Sequence, residues 1–250
     1  MKSISIRWFV ALLLTMPISI SATADDTMLQ GVDLNSPAMT QADVTRADVV
    51  KILSAATPLF ARHGMNGVSI RTLASAAGVN LSMISYHFGG KEGLYAEILK
   101  GQFEKFRYID DIAKSDRPPL EKFEMYIRGT IRRYRENPYL LRYYVSELSN
   151  PTACFKTIVR PTVQKVLKIL REAIQQGIAM NTLRNSLNPA DSVLALAGMI
   201  NFYFLVAPAA KGFVEHHHGR DEELVKHFMD IVKAGFVRDN HPTRKGVARS

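Results

Sequence analysis

The chain has very little cysteine and tryptophan, with a single residue of each, Cys154 and Trp8, among its 250 residues. One cysteine excludes an internal disulfide and a thiolate metal cluster. The sequence also lacks a G-x-S-x-G motif, a phosphate-binding loop and an H-E-x-x-H motif, which removes the signatures of common hydrolases, nucleotide-binding proteins and metalloproteases. We therefore expect no catalytic activity, no cofactor and no bound metal.

Three consecutive histidines, His216–His218, are the one run that invites a metal-binding interpretation. Adjacent residues point in different directions, and Glu215 is a neighbour only in sequence, so no ligand set at metal spacing is complete. We interpret the run as part of a solvated loop between two helices.

The sequence has no convincing alternation of polar and apolar residues, so we predict no β-strands. Apolar residues recur instead at helical spacing, which predicts an all-α fold. The apolar fraction of 47% is too high for general disorder. The formal net charge of +9 favours a polyanionic partner without identifying it.

The stretch from Ser69 to Tyr95 carries two short helical patterns joined by a glycine. Ser69 is a suitable N-cap for a helix that places Leu73 and Ala77 on one face. Gly78 can adopt a positive φ without steric cost and so ends that helix. Asn80 then caps a second helix. This arrangement predicts a helix-turn-helix.

The second of these helices has an inner and an outer face. Ile84 and Phe88 lie one turn apart and point inward. The residues expected to point outward, toward a DNA major groove, are Ser82, Met83 and Tyr86, flanked by Ser85 and His87. Lys91 opens the next helix after the Gly89–Gly90 break, where a cation and free backbone N–H groups could bind a phosphate. Arg71 can do the same.

The complete run resembles the TetR family of bacterial transcription regulators over roughly Thr45 to Leu99. The matching residues are Ser69, Ile70, Arg71, Leu73, Ala74, Ala77, Gly78, Val79, Ile84, Tyr86, His87, Phe88, Lys91, Glu92, Leu94 and Tyr95. The resemblance implies base contacts from Leu81, Ser82, Met83 and Ser85, and we predict phosphate contacts from Ser69, Arg71, Tyr86, His87 and Lys91. Many relatives carry Lys, Gly and Thr in place of Leu81, Ser82 and Met83, so this chain has few strong donors for base edges.

The helical pattern continues to the end of the chain and predicts four regions: an N-terminal extension (1–44), a three-helix DNA-binding domain (45–90), a larger helical domain for effector binding and dimerisation (91–237), and a flexible basic tail (238–250). Outside the helix-turn-helix, the predicted helices of the chain are Arg46–His63, Lys91–Lys114, Leu120–Glu136, Pro138–Ser149, Thr152–Ile178 with a kink at Pro161, Pro189–Ala207 and Asp221–Val237.

The helix Pro189–Ala207 is apolar nearly all round, so one neighbour could not cover it. We predict that it forms a four-helix homodimer interface with the last helix, an arrangement that the resemblance also implies. The predicted interface residues are Leu196, Ile200, Phe204, Leu224, Phe228 and Ile231.

An effector pocket is implied by the resemblance and would suit the large side chains of the middle helices. The predicted lining is Phe103, Phe106, Tyr126, Tyr143, Tyr144, Phe155, Met199 and Tyr203, with Arg142, Glu147 or Asn201 as polar anchors. The plainer interpretation of each residue is a core position. In the predicted mechanism, a small, largely apolar effector shifts the Lys91–Lys114 helix and releases a dimeric repressor from a palindromic operator in double-stranded DNA.

The N-terminus conflicts with a DNA-binding function. Met1–Ala24 has the layout of a secretory signal peptide, although its apolar run Trp8–Ile20 is too short to span a bilayer, and we expect no stable membrane insertion. Either translation starts later, for example at Met39, or the protein is an exported helical protein that binds a small apolar ligand and no DNA. We favour the later start and a cytoplasmic location, because the helix-turn-helix pattern contains many more independent matches.

Overall fold

The computed structural model describes residues 41–104, 106, 108–210, 212–213 and 219–238. The signal-like segment Met1–Ala24, the alternative start at Met39, the His216–His218 run and the tail beyond Arg238 lie outside these residues.

Ten α-helices account for most of the described residues, and no strand is present among them, so the predicted all-α class is confirmed. The helices are α1 (Gln41–His63), α2 (Ile70–Ala77), α3 (Leu81–Phe88), α4 (Lys91–Glu104), α5 (Tyr108–Lys114), α6 (Pro119–Glu136), α7 (Leu140–Ser149), α8 (Arg160–Ala179), α9 (Pro189–Val206) and α10 (Arg220–Phe236).

The predicted continuous helix from Lys91 to Lys114 is wrong, because α4 ends at Glu104 and α5 begins at Tyr108. The turn between them is closed by a hydrogen bond from Ile109 N to Phe106 O at 3.0 Å. Asp110 and Asp111 occupy the first turn of α5, where negative charge stabilises a new helix N-terminus.

The predicted kink at Pro161 takes the form of a π-helical turn. This turn covers Phe155–Val159 and leads directly into α8, with Arg160 N bonded to Phe155 O. Pro161 has no N–H to donate to the preceding turn. The irregular backbone therefore falls where a regular α-helix would have lost a hydrogen bond.

The chain divides into two compact units, which are described separately. Among the described residues, the first unit comprises 41–104 together with 137–161. Its core joins α1, α4 and α7 through aromatic side chains: the Phe60 and Tyr95 rings meet edge to face at 5.1 Å, and Tyr143 packs beside Tyr95 at 6.0 Å. This unit therefore contains α7 in addition to the predicted DNA-binding helices.

The second unit comprises the described residues between 106 and 136 and between 162 and 238. Its core consists of aliphatic and aromatic side chains from α5, α6, α8, α9 and α10. Close packing of α5 on α6 depends on a glycine. A Cβ atom at Gly129 would lie 2.4 Å from the Tyr108 ring, and the Tyr108 hydroxyl is 2.9 Å from Thr130 Oγ1.

Helix α9 begins as predicted at Asn188–Pro189. The Asn188 side chain caps the helix by accepting hydrogen bonds from Ala190 N and Asp191 N at 2.9 and 3.2 Å. Among the described residues, α9 is the one helix long and apolar enough to cross a membrane. A single helix of this kind is weak evidence for a membrane, since a core helix of a soluble protein can have the same composition.

The structure corrects the predicted dimer surface. Four of the six predicted residues are at most 4% exposed and belong to the core of their own unit: Leu196, Ile200, Leu224 and Phe228. Phe204 is half-buried, with the Arg135 guanidinium 5.2 Å from its ring centroid. Only Ile231, at 44% exposure, is well placed to contact a second subunit.

Candidate nucleic-acid interface

Helices α2 and α3 form a helix-turn-helix whose ends are capped by local hydrogen bonds. Ser69 Oγ accepts from Thr72 N at 3.1 Å at the start of α2, and Asn80 Oδ1 accepts from Ser82 N at 3.0 Å at the start of α3. Gly78 has φ 64°, and Val79 N bonds to Ala74 O at 3.1 Å across the end of α2. These contacts fix a tight turn without help from distant residues.

The inner side of the motif is buried against α1 and α4. Leu73, Ala74 and Ile84 are 1%, 5% and 0% exposed, so α2 and α3 both contribute core residues. Val79 and Phe88, also predicted to point inward, are half-buried. Because Ile84 supplies the fully buried contact of α3, the opposite side of that helix is available for a ligand.

The outer face of α3 contains most of the predicted base-facing residues. Ser82 and Ser85 are exposed, Leu81 is 38% exposed and Tyr86 is 80% exposed. Met83 was predicted to point outward, but it is half-buried. A short helix with this exposed row can enter a major groove, where the N-terminal residues of a recognition helix contact base edges.

The residues predicted to contact phosphates differ in their exposure and in the hydrogen bonds that they already make. Arg71 is exposed, while Ser69 is exposed but its hydroxyl caps α2 and lies 2.8 Å from Thr72 Oγ1. His87 is half-buried, and its Nε2 atom is shielded from solvent without a hydrogen-bond partner among the described residues. His87 therefore faces the protein more than the sequence indicated, while its ring lies 4.9 Å from that of the exposed Tyr86.

Lys91 lies at the first position of α4, immediately after the glycine break. Its Nζ donates to Val68 O at 3.3 Å, which connects the start of α4 to the chain before α2. An ammonium group has three donors, so this one long bond leaves capacity for a phosphate oxygen. The first N–H groups of α4 have no acceptor within the helix and add to the attraction for an anion.

The predicted effector residues are distributed over both compact units. Phe103, Tyr143, Tyr144 and Phe155 belong to the first unit, whereas Phe106, Tyr126, Met199 and Tyr203 belong to the second. Tyr143 is 0% exposed, and its hydroxyl donates to Thr57 O at 2.7 Å, so it serves as a core residue. Phe103 and Tyr126, both 4% exposed, are core residues as well. The other five are half-buried.

An open groove between α6 and α10 contains none of the predicted effector residues. Its walls are largely charged side chains: Glu124, Arg128, Glu222, Glu223, Val225, Lys226, Met229, Asp230 and Lys233. Such a lining does not suit the apolar effector expected from the sequence.

Glu147, predicted as a polar anchor for an effector, instead holds the first unit together. It is 0% exposed, and its carboxylate accepts from the Tyr95 hydroxyl at 2.8 Å and from Thr152 N at 3.2 Å. Burial, and then the charge of Glu147, raise the pKa of Tyr95 well above its usual range. This network joins α4 to α7, a connection that the sequence pattern did not reveal.

The other two predicted anchors also have neighbours in the protein. Burial lowers the pKa of Arg142, and the positive charge of Arg62 lowers it further. Asn201 Oδ1 accepts from the Tyr134 hydroxyl at 2.6 Å.

The capped pair α2–α3, with a buried inner side and an exposed outer helix, defines a protein of the helix-turn-helix class. Residues 52–98 match the family model described as bacterial regulatory proteins, tetR family. This region of the chain is therefore similar to the DNA-binding region of TetR-family regulators.

Two curated proteins show the same similarity. The chain is 28% identical over 130 residues to the probable HTH-type transcriptional regulator YttP of Bacillus subtilis, covering 51% of this chain and 63% of YttP. It is 30% identical over 152 residues to the HTH-type transcriptional regulatory protein RaaS of Mycobacterium tuberculosis, covering 60% of this chain and 66% of RaaS. The chain thus spans less than two thirds of the length of each of these relatives.

The fold is similar to that of a solved complex, AibR bound to isovaleryl coenzyme A and operator DNA. The TM-score is 0.60 and the identity 19%, with 74% of this chain and 97% of AibR covered. At this identity the similarity concerns the fold alone.

Proposed function

We propose that the protein is a dimeric, ligand-responsive transcriptional repressor. It binds a palindromic operator through α3 of each subunit and leaves the DNA when a small, largely apolar effector binds. The observation that carries this proposal is the geometry of α3, which is capped at both ends, anchored by Ile84 and exposed along its outer face. The similarity to TetR-family regulators favours this function over an exported ligand carrier, and we place the protein in the cytoplasm, where the chromosome is.

We assign base contacts to Leu81, Ser82 and Ser85, and phosphate contacts to Arg71, Tyr86 and Lys91. Met83 contributes its exposed part, and Ser69 and His87 support the interface mainly by holding the motif in shape. A phosphate contact raises affinity for all sequences, whereas a base contact discriminates among them. Substitutions in the two groups should therefore have distinguishable effects.

Dimerisation would place two α3 helices in successive major grooves, about 34 Å apart. Helix α9 offers an apolar stripe that the described residues of its own subunit leave exposed: Leu194 is 59% exposed, Phe202 is 53% exposed, and the exposed Gly198 lies between them. These residues follow at intervals of one helical turn and share one face. Together with the exposed Ile231 of α10, they supply the interface.

The effector proposal rests on the half-buried aromatic and flexible side chains of the second unit. Phe106, Met199 and Tyr203 pack against its core without being fully covered. AibR, with a similar fold, holds an acyl coenzyme A together with operator DNA. Effector binding and DNA binding must be reciprocally linked, so an effector that leaves operator affinity unchanged contradicts this part of the proposal.

The first experiment is selection of high-affinity duplexes from a random pool with the full chain. Titration of the selected and a scrambled duplex at several salt concentrations follows. We expect specific binding with a steep salt dependence. Lys91→Ala should weaken binding to both duplexes and reduce the salt slope by about one.

Lys100→Ala is the matched control for Lys91→Ala, because Lys100 lies on the same helix and its exposed ammonium pairs with Glu97 at 3.4 Å. Its salt slope should equal that of the unmodified protein. Failure to enrich any sequence would contradict the proposed function. Equal effects of the two substitutions would contradict the role assigned to Lys91.

A further inference from the structure

The side chains of α3 lack the groups that usually discriminate bases. Residues 81–88 read LSMISYHF and contain no Arg, Lys, Asn, Gln, Asp or Glu. Arg and Lys read guanine, Asn and Gln read adenine, and acidic side chains read cytosine through hydrogen bonds in the major groove. None of these pairings is available from α3, and His87 is half-buried with its Nε2 atom shielded from solvent. The sequence preference of α3 must therefore come from hydroxyl groups or apolar contacts.

The two serine hydroxyls of α3 provide little discrimination, and the exposed Tyr86 is assigned to phosphate. Ser82 Oγ donates to Asn80 Oδ1 at 3.1 Å, which uses its only hydrogen and leaves an acceptor. Ser85 is exposed and can rotate its hydroxyl to donate or to accept. Serine can therefore pair with more than one base.

Leu81 is the remaining exposed side chain of α3 that can prefer one particular base. It is the first residue of α3 and is 38% exposed, although the helix is already anchored by the fully buried Ile84. A single exposed leucine is ordinary on a protein surface. This one lies at the N-terminal end of the helix, which contacts base edges in helix-turn-helix complexes. The apolar group presented by unmodified bases in the major groove is the C5-methyl of thymine.

We infer that this protein recognises its operator chiefly through thymine methyl groups packed against Leu81, in place of hydrogen bonds to base edges. This inference rests on the proposed DNA-binding function and specifies the chemistry of its target. The operator should contain thymine at one position of each half-site facing Leu81, and removal of that methyl group alone should weaken binding.

The test replaces thymine by deoxyuracil, which has the same hydrogen-bonding groups and lacks only the methyl. The selected operator is resynthesised with deoxyuracil at each thymine position in turn, symmetrically in both half-sites, and titrated with the full chain. We expect one position at which affinity falls about fifteenfold, because loss of one buried methyl weakens binding about fourfold per half-site. The other positions should show little change.

Protein variants identify the partner of that methyl group. Leu81→Ala should bind the thymine operator more weakly and should no longer distinguish it from the deoxyuracil operator at the sensitive position. Leu81→Met keeps an apolar side chain and should retain much of the discrimination. Leu148→Ala removes a leucine that is 51% exposed on α7 and should leave the ratio unchanged.

The outcomes distinguish a failure of this inference from a failure of the proposed function. If a specific operator is selected but deoxyuracil has no effect at any position, methyl recognition is overturned while DNA recognition stands. If Leu81→Ala retains the preference for thymine over deoxyuracil, Leu81 does not contact the thymine methyl group. If no sequence is enriched at all, the proposed function and the inference fail together. Circular dichroism of each variant confirms that its helices are intact.

Discussion

Replacing Gly129 by alanine should destabilise the protein, although alanine is the better helix former. Gly129 lies within α6, and an added Cβ atom would be 2.4 Å from the Tyr108 ring. The helical preference contributes about 0.5–1 kcal/mol in favour of alanine. Overpacking costs about 1–3 kcal/mol, and displacement of the ring would also break the Tyr108–Thr130 hydrogen bond, at about 0.5–1.5 kcal/mol. The net expectation is a loss of about 2 kcal/mol in the free energy of unfolding, or roughly 4–8 °C in Tm.

Gly101→Ala is the matched control, because Gly101 is also helical, is exposed, and an added Cβ atom would have no neighbour within 4 Å. It should stabilise the protein by about 0.5–1 kcal/mol. Urea unfolding followed by circular dichroism at a fixed protein concentration measures both variants. Tyr108→Leu combined with Gly129→Ala should recover part of the loss. A Gly129→Ala variant as stable as the unmodified protein would refute the packing argument.

Three further results are expected. Glu147→Ala should lower the free energy of unfolding in urea by about 3 kcal/mol, because the Tyr95 hydroxyl loses its acceptor. Glu147→Gln should lower it less, and equal losses for the two variants would argue against the hydrogen bonds. Phe202→Glu should convert the dimer into a monomer in analytical ultracentrifugation, and Leu148→Glu, at another exposed apolar position, should not. Burial raises the pKa of the Cys154 thiol and so lowers its thiolate fraction. Iodoacetamide at pH 8 should therefore label Cys154 slowly in the folded protein and rapidly in urea. Rapid labelling of the folded protein would contradict the burial of this thiol.

The helix-turn-helix was predictable from the sequence because its determinants are local. The caps at Ser69 and Asn80 and the turn at Gly78 depend on residues within a few positions of each other, and the structure has each of them. The extent to which each side chain is buried is less predictable. Met83 and His87 are half-buried because of neighbouring elements, which helical periodicity does not describe.

The predicted dimer residues illustrate a second limit. Helix α9 is apolar on nearly all sides, so periodicity identifies no single buried face. Leu196 and Ile200 pack inside their own unit, while Leu194 and Phe202 remain exposed. Both faces satisfy the same compositional pattern, and only the packing of the folded chain distinguishes them.

The break between α4 and α5 and the position of Glu147 were also not predictable. No proline lies between Glu104 and Tyr108, so the sequence there is compatible with a continuous helix. Glu147 pairs with Tyr95, a residue far from it in the chain, and a contact of this kind leaves no periodic signal.

The hydrogen bonds of α7 have a consequence for the design of chimeric regulators. The helix-turn-helix lies in the N-terminal part of the chain, so the simplest exchange would replace one continuous N-terminal segment. In this protein, such an exchange would separate the Tyr95 hydroxyl from Glu147 and the Tyr143 hydroxyl from Thr57 O. A transplantable module would have to include residues 137–161 as well, so its natural unit is two segments of chain that are distant in sequence.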